Sequence, residues 1–219
     1  MQQHELDLNS DHKVRAATGD WVRGRLARVR LSTGFACPAG SCLGGTRASD
    51  SLTPAAVLVP LVTHREGTTL LLTQRTDHLA DHAGEISFPG GRVEPRDRTI
   101  AETALRETEE EVGLPPHHVE LVGALDSYET GTGFRVTPMV GLIEPPLVTK
   151  PDPFEVAEVF EVPLAFILDP SNHQRHKAFV SCRLREYYAL SYRGRFIWGA
   201  TAAMLMNLYE VLSGSPRSM

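Results

Sequence analysis

Apolar residues fall in short runs separated by polar turns, and most of the runs are too brief for anything but strands. Ala55–Val62 and Thr69–Thr73 flank the turn His64-Arg65-Glu66-Gly67, which predicts two paired strands. Ile86–Phe88 is a third extended piece, stopped by Pro89-Gly90-Gly91. Further strands are predicted at Val119–Leu125, Phe134–Ile143, Val159–Pro163 and Ala178–Leu190. Helical spacing shows in three places. Asp20–Leu31 carries Trp21, Leu26 and Val29 on one side, with arginines at 23, 25, 28 and 30 around them. After Asp97 or Thr99, either of which serves as an N-cap, Ile100, Leu105, Thr108 and Val112 recur at helical intervals until Pro115 and Pro116 forbid continuation. Ile197–Leu212 ends the pattern, with Trp198, Thr201, Leu205, Leu208 and Leu212 in step. This last helix has few polar residues on any side, which implies deep burial or a homodimer contact.

Beyond the short N-terminal helix, two helices among several strands, without strict strand–helix alternation, predict an α+β fold with a mixed sheet between helices. A chain of 219 residues buries one good core. The division expected is an N-terminal extension over 1–52, holding the short helix and a Gly/Ala/Ser/Pro-rich linker, then one domain over 53–213 and a tail over 214–219.

Composition narrows the function classes. A net charge of −5 supplies no global basic field for nucleic acid. No apolar run reaches the length of a membrane span. The arginines over 23–30 suit a helix packed on the domain, or a phosphate or membrane-surface contact. Cys37, Cys42 and Cys182 are an odd set without a secretory leader, which fits a reducing cytoplasm. Glu5, Asp7 and Asp11 argue against a transit peptide.

The candidate chemistry sits in Ala104-Leu105-Arg106-Glu107-Thr108-Glu109-Glu110-Glu111-Val112-Gly113-Leu114. Residues three and four apart share a helix face, so Glu107, Glu110 and Glu111 converge. Glu110 has Arg106 one turn away, whereas Glu107 faces Thr103 and Glu111 faces Pro115, so neither of these two is expected to have a helical cation neighbour. A helix ending near Gly113 also sets these charges against its dipole, at about 0.3–1 kcal/mol each. A solvated acidic face is the plain reading. A bound divalent cation, which wants oxygen ligands, would reverse every one of these costs.

Gly91 followed by Arg106-Glu107 and Glu110-Glu111-Val112-Gly113-Leu114 resembles the box of the Nudix hydrolases, G-x5-E-x7-R-E-U-x-E-E-x-G-U with U aliphatic. Two departures stand out. The interval from Gly91 to Arg106 is one residue longer, with Asp97 nearest to the early glutamate, and Thr108 replaces an aliphatic residue. The longer interval is similar to the branch that acts on coenzyme A, whose upstream pattern is close to L-L-T-x-R-S-x3-R-x3-G-x3-F-P-G-G. Leu71, Leu72, Thr73, Arg75, Gly84 and Phe88-Pro89-Gly90-Gly91 fall in register with it. Thr76 stands for the serine and Ala80 for the second arginine, with His78 and His82 nearby. Val136–Val140, Glu155–Leu164 and Ile197–Ala202 also look like this branch, so the resemblance covers about residues 53–212.

The resemblance implies an α/β/α sandwich and hydrolysis of a pyrophosphate with Mg²⁺ or Mn²⁺. It implies a metal held by Glu107, Glu110, Glu111 and the Gly91 carbonyl. Glu107 and Glu110 are the catalytic acids, with Glu110 a third ligand or the base. Arg106 either contacts phosphate or pairs with Glu102 or a box carboxylate. Arg75, Arg92 and Glu155 are the substrate-side candidates, and Glu158 joins Glu155 as a carboxylate from outside the box. The partner implied is a small nucleotide, coenzyme A first. ADP-ribose, a dinucleoside polyphosphate, or a non-catalytic nucleotide-binding module are the alternatives.

Overall fold

Strand β1 (Thr53–His64) organises the molecule. The computed structural model describes residues 18–27, 52–79, 82–180 and 183–214. The expectations for Cys37, Cys42, Cys182, Ala80, the linker and the tail beyond Gly214 fall outside them. Along β1 the odd positions Ala55, Val59 and Leu61 enter one core cluster, while the even positions Ala56, Leu58 and Val62 enter the clusters on the other face. A strand buried on both faces reads as the unbroken apolar run seen in the sequence. Full burial of a side chain such as Leu58 or Leu61 contributes about 1.5–3 kcal/mol.

One edge of β1 pairs along its length, in parallel, with β7 (Phe134–Ile143). The other edge is divided. Its first half pairs antiparallel with β4 (Gly90–Arg92) and its second half with β2 (Gly67–Arg75). Pro60, which has no N–H to give, stands between the two paired stretches. Beyond β2 lie β3 (Ile86–Ser87) and β8 (Val156–Pro163), and beyond β7 lie β5 (Val119–Ala124) and β6 (Tyr128–Glu129). The sheet is therefore mixed, as expected. A second sheet has three antiparallel strands, β9 (Gln174–Val180), β10 (Arg183–Tyr192) and β11 (Arg195–Trp198).

Among the described residues four α-helices cover these sheets. On one side, α1 (Gly19–Leu26), the short α2 (Leu164–Leu168) and α3 (Gly199–Ser213) build the larger core with Val22, Leu26, Ile167, Leu205, Leu208 and Leu212. On the other side, α4 (Ile100–Val112) packs Ala104 on Ala56 and Leu58, and Val112 on Val62 and Leu71. This is the expected α/β/α sandwich. Among the described residues no helix is long and apolar enough to cross a membrane.

Several boundaries differ from expectation. The run 178–190 is not one strand but parts of β9 and β10, which pair with each other from Arg183↔Val180 to Ala189↔Gln174. Ile197 and Trp198 are not helical. They pair with Leu190 and Ala189, and the helix begins only at Gly199. The apolarity of α3 is accounted for within one chain, because Thr201, Ala202, Met204–Leu208 and Leu212 are buried. In α1 the buried pair is Val22 and Leu26, while Trp21 is partly buried beneath the Arg25 guanidinium, 5.5 Å from its ring.

Candidate active site

Helix α4 starts on Thr99, whose hydroxyl accepts from the Glu102 amide at 3.1 Å. It ends at Gly113, which adopts φ 70° and donates its amide to Glu109 O at 3.0 Å. No basic residue occupies the last turn. Thr108 is buried, and its hydroxyl returns to Ala104 O at 2.6 Å, so it fits where an aliphatic residue is usual. Asp97 is not the cap. Its carboxylate takes Arg106 Nε and Nη2, both at 2.9 Å, and Thr103 Oγ1 at 2.9 Å.

Arg106 has every nitrogen engaged. Besides Asp97, it donates to Glu107 Oε1 at 2.9 Å, Glu110 Oε2 at 3.0 Å and Arg92 O at 3.2 Å. Glu102 pairs with Arg98 instead. The expectation that Glu107 lacks a cation neighbour is thus corrected: its neighbour in sequence turns back to meet it. Arg96 adds a second tie, from Glu94 at 2.7 Å to Glu110 at 3.0 Å. Arg106 supplies the positive charge that two of the three box carboxylates face. As these side chains stand, no three acidic, histidine or cysteine groups among the described residues are grouped to hold an ion.

Glu111 is different. It is 6% exposed, and among the described residues its carboxylate accepts from the Gly90 amide, at 3.4 Å from Oε2. Burial raises its carboxyl pKa to about 8, helped by the charges of Glu155 and Glu107 and opposed by Arg75 and the Gly90 N–H. Burial also raises that of Glu107, against the pull of Arg106. Two glycines bring strand and helix together. Gly90 at φ 154° lies so close to β1 that a Cβ there would collide with Ala56 O. A Cβ on Gly91 would stand 2.5 Å from the Glu107 carboxyl carbon. A side-chain-free residue is needed at each.

The donors fit a hard divalent cation. They are oxygens only, carried on one helix face against a glycine that leaves its backbone bare. Arg75 ends β2 on this side. Its Nε is buried and has no hydrogen-bond partner among the described residues, an arrangement that suits an incoming anion. The 150–156 loop joins them through Lys150 N to Val112 O at 2.8 Å and Asp152 N to Glu111 O at 2.9 Å, and it carries Glu155.

Glu158 is on the opposite sheet face from Val159, which packs with Val112, and it is paired with Arg195. The Arg92 guanidinium lies 5.0 Å from the Phe134 ring and is exposed. His82 pairs with Glu85 at 2.8 Å, and His78 meets Phe154 edge-on at 4.8 Å. Sequence reasoning overlooked Arg96, and it gave no task to two buried threonines it did name, Thr76 and Thr201. Thr201 Oγ1 donates to Ile86 O at 2.9 Å, holding the strand that leads into Gly90. Their through-space partners left no local signal, although both lie inside segments that the resemblance covers.

A family model described as NUDIX domain matches residues 52–181. The chain is 43% identical over 171 residues to the uncharacterized Nudix hydrolase NudL of Pectobacterium atrosepticum, covering 74% of this chain and 84% of that protein. It is 44% identical over 159 residues to the protein of the same name from Yersinia enterocolitica, covering 71% and 80%. Among solved structures, the Nudix hydrolase RenU of M. smegmatis superposes with a TM-score of 0.51 at 21% identity, over 76% of this chain and 89% of that one, a likeness of fold.

Proposed function

The chain belongs to the Nudix hydrolase family, whose members cleave pyrophosphate bonds of phosphorus-containing anhydrides, and from that premise we propose that it hydrolyses coenzyme A or a derivative. The products would be 3′-phosphoadenosine 5′-phosphate and a 4′-phosphopantetheine. The observation that carries the reading is the meeting of Glu107 with Gly91 and of Glu111 with the Gly90 amide, beside an Arg75 whose buried Nε has no hydrogen-bond partner among the described residues.

Glu107, Glu111 and the Gly91 carbonyl would hold Mg²⁺ or Mn²⁺, with Glu110 a third ligand or the base. The ion supplies Lewis acidity at the phosphate oxygens and a bound water of lowered pKa. Arg75 donates to the pyrophosphate and fixes its register against the carboxylates. Glu110 is the most exposed of the three, at 51%, which suits it to take a proton from the attacking water. Arg106 is committed to protein oxygens, so its part is to hold Glu107 and Glu110 in place. Arg92 and Glu155 flank the substrate. A cytoplasmic setting suits such a substrate.

A second reading, ADP-ribose or another nucleoside diphosphate, draws on Ala80, which puts a methyl where the coenzyme A pattern has an arginine. Steady-state rates on coenzyme A, acyl derivatives, ADP-ribose and dinucleoside polyphosphates, with Mg²⁺ and with Mn²⁺, test the proposal. The highest kcat/KM on a coenzyme A compound supports it. A preference for ADP-ribose rejects it.

A further inference from the structure

Thr76 follows Arg75 directly, and its buried hydroxyl has to find a partner. Oγ1 donates to Phe154 O at 2.8 Å, and the amide of the same residue donates to Glu155 O at 3.0 Å. Two consecutive carbonyls are thus bound by one residue, which fixes the peptide unit that carries Glu155. Just before it the β2–β8 ladder shifts register, between Gln74 and Arg75. Such irregularities end regular pairing and re-aim side chains. Here the Thr76 hydroxyl ties down the far strand after the regular ladder has ended.

The same loop is tied at its other end to helix α4, through Asp152 N to Glu111 O. Within it, Asp152 accepts from Phe154 N at 2.9 Å through its side chain, and from Glu155 N at 3.1 Å and Val156 N at 2.9 Å through its carbonyl. Glu155 is therefore suspended between the residue that follows Arg75 and the backbone of Glu111. Half-buried there, its carboxylate bears electrostatically on Glu111.

We propose that Thr76 is a positioning residue, whose hydroxyl holds the 152–156 loop so that Glu155 adds a carboxylate from outside helix α4 to the oxygen donors around the ion and its water. The inference rests on the pyrophosphatase reading. It gives the threonine beside Arg75 a task distinct from touching substrate.

The test is a cycle of Thr76→Val, Thr76→Ser, Glu155→Gln and Thr76→Val/Glu155→Gln. Mn²⁺ affinity is measured by calorimetry on the protein alone. kcat and KM are measured on the best substrate of the panel, and Tm is measured alongside. Thr76→Val and Glu155→Gln are each expected to weaken Mn²⁺ binding about 10-fold, as loss of an outer-shell partner does. kcat falls with KM little changed. Thr76→Ser, which keeps the hydroxyl, restores both. The double variant is no worse than Glu155→Gln alone, because both changes remove one contribution. Losses that multiply, a Glu155→Gln variant with wild-type Mn²⁺ affinity, or a Thr76→Val variant altered only in Tm would overturn the proposal. If no nucleotide of the panel is hydrolysed, the pyrophosphatase reading fails, while the Mn²⁺ cycle still decides the role of Thr76.

Discussion

Asp97 and Arg106 meet in a two-pronged ion pair, Oδ1 to Nε and Oδ2 to Nη2, each at 2.9 Å. The acid side chain is 4% exposed and the guanidinium 15%. The pair fastens the loop after β4 to helix α4, and its remaining donors reach Glu107 and Glu110. Asp97→Asn, which keeps the shape and removes the charge, is expected to lower Tm and to reduce kcat more than it raises KM. Arg106→Lys cannot span both carboxylate oxygens and the neighbouring glutamates, so a kcat loss of roughly 100-fold is expected from misplaced acids. Circular-dichroism melts and steady-state kinetics check both. The guanidinium holds the Asp97 carboxyl well below the usual carboxylate range. A depressed pKa contributes stability at neutral pH that is lost progressively as pH falls from the unfolded value through the folded one. The acid limb of Tm against pH should therefore flatten in Asp97→Asn.

Glu111 carries the opposite sign. Its folded pKa of about 8 lies above its ordinary 4.5, so between these values the native state binds more protons than the unfolded chain. Metal-free stability should then fall as pH rises from about 4.5 to about 8. Saturating Mg²⁺ should reverse that slope, because the ion takes the deprotonated form and releases a proton on binding. Tm against pH, with EDTA and with Mg²⁺, reads both slopes. Glu111→Gln should remove the EDTA slope, melt higher than wild type at pH 8 without metal, and lose Mg²⁺-dependent turnover by orders of magnitude. Full turnover in that variant would sink the ligand assignment.

Gly91→Ala asks a steric question. Its Cβ would enter the space of the Glu107 carboxylate, which must swing away. Mn²⁺ affinity should drop by about 10- to 100-fold. A Mn²⁺ titration followed by electron paramagnetic resonance gives the affinity, and a melt in EDTA shows whether β4 still pairs with β1.

Arg75→Met removes the unpartnered Nε together with its charge. Loss of a charge-assisted hydrogen bond costs about 1.5–3 kcal/mol, so KM should rise roughly 10- to 150-fold, while metal-free Tm stays the same or increases. A rise in Mn²⁺ dissociation constant without a rise in KM would instead make Arg75 a support for the acids proposed to hold the metal.

The strands that proved legible are those whose pattern is local. Phe134–Ile143 has its read bounds because turn residues flank an apolar run. Ile197 and Trp198 misled because helical spacing continues through them, and only their partners Leu190 and Ala189 make them extended. The 181–182 connection contains no glycine or proline, so nothing in composition marks the division between β9 and β10. In the candidate site, the nearness of Gly91 to Glu107, and the shared helix that carries Glu107, Glu110 and Glu111, were legible because one helix and one turn fix their spacing. The links from Arg106 to Asp97, Thr76 to Phe154 and Thr201 to Ile86 were not, since each joins separate elements through a side chain.

The extra residue between Gly91 and Arg106 is absorbed without cost to either end. Glu94 and Asp97 close a turn on each other, amide to side chain and amide to carbonyl, both at 2.9 Å. Gly91 is set by the ladder with Ala56, and Arg106 by the packing of its helix on β1. Contour length between the two is thus uncoupled from their separation in space. An insertion at this one point of the box, provided that an acid comes back to the arginine, should leave helix α4 where it stands.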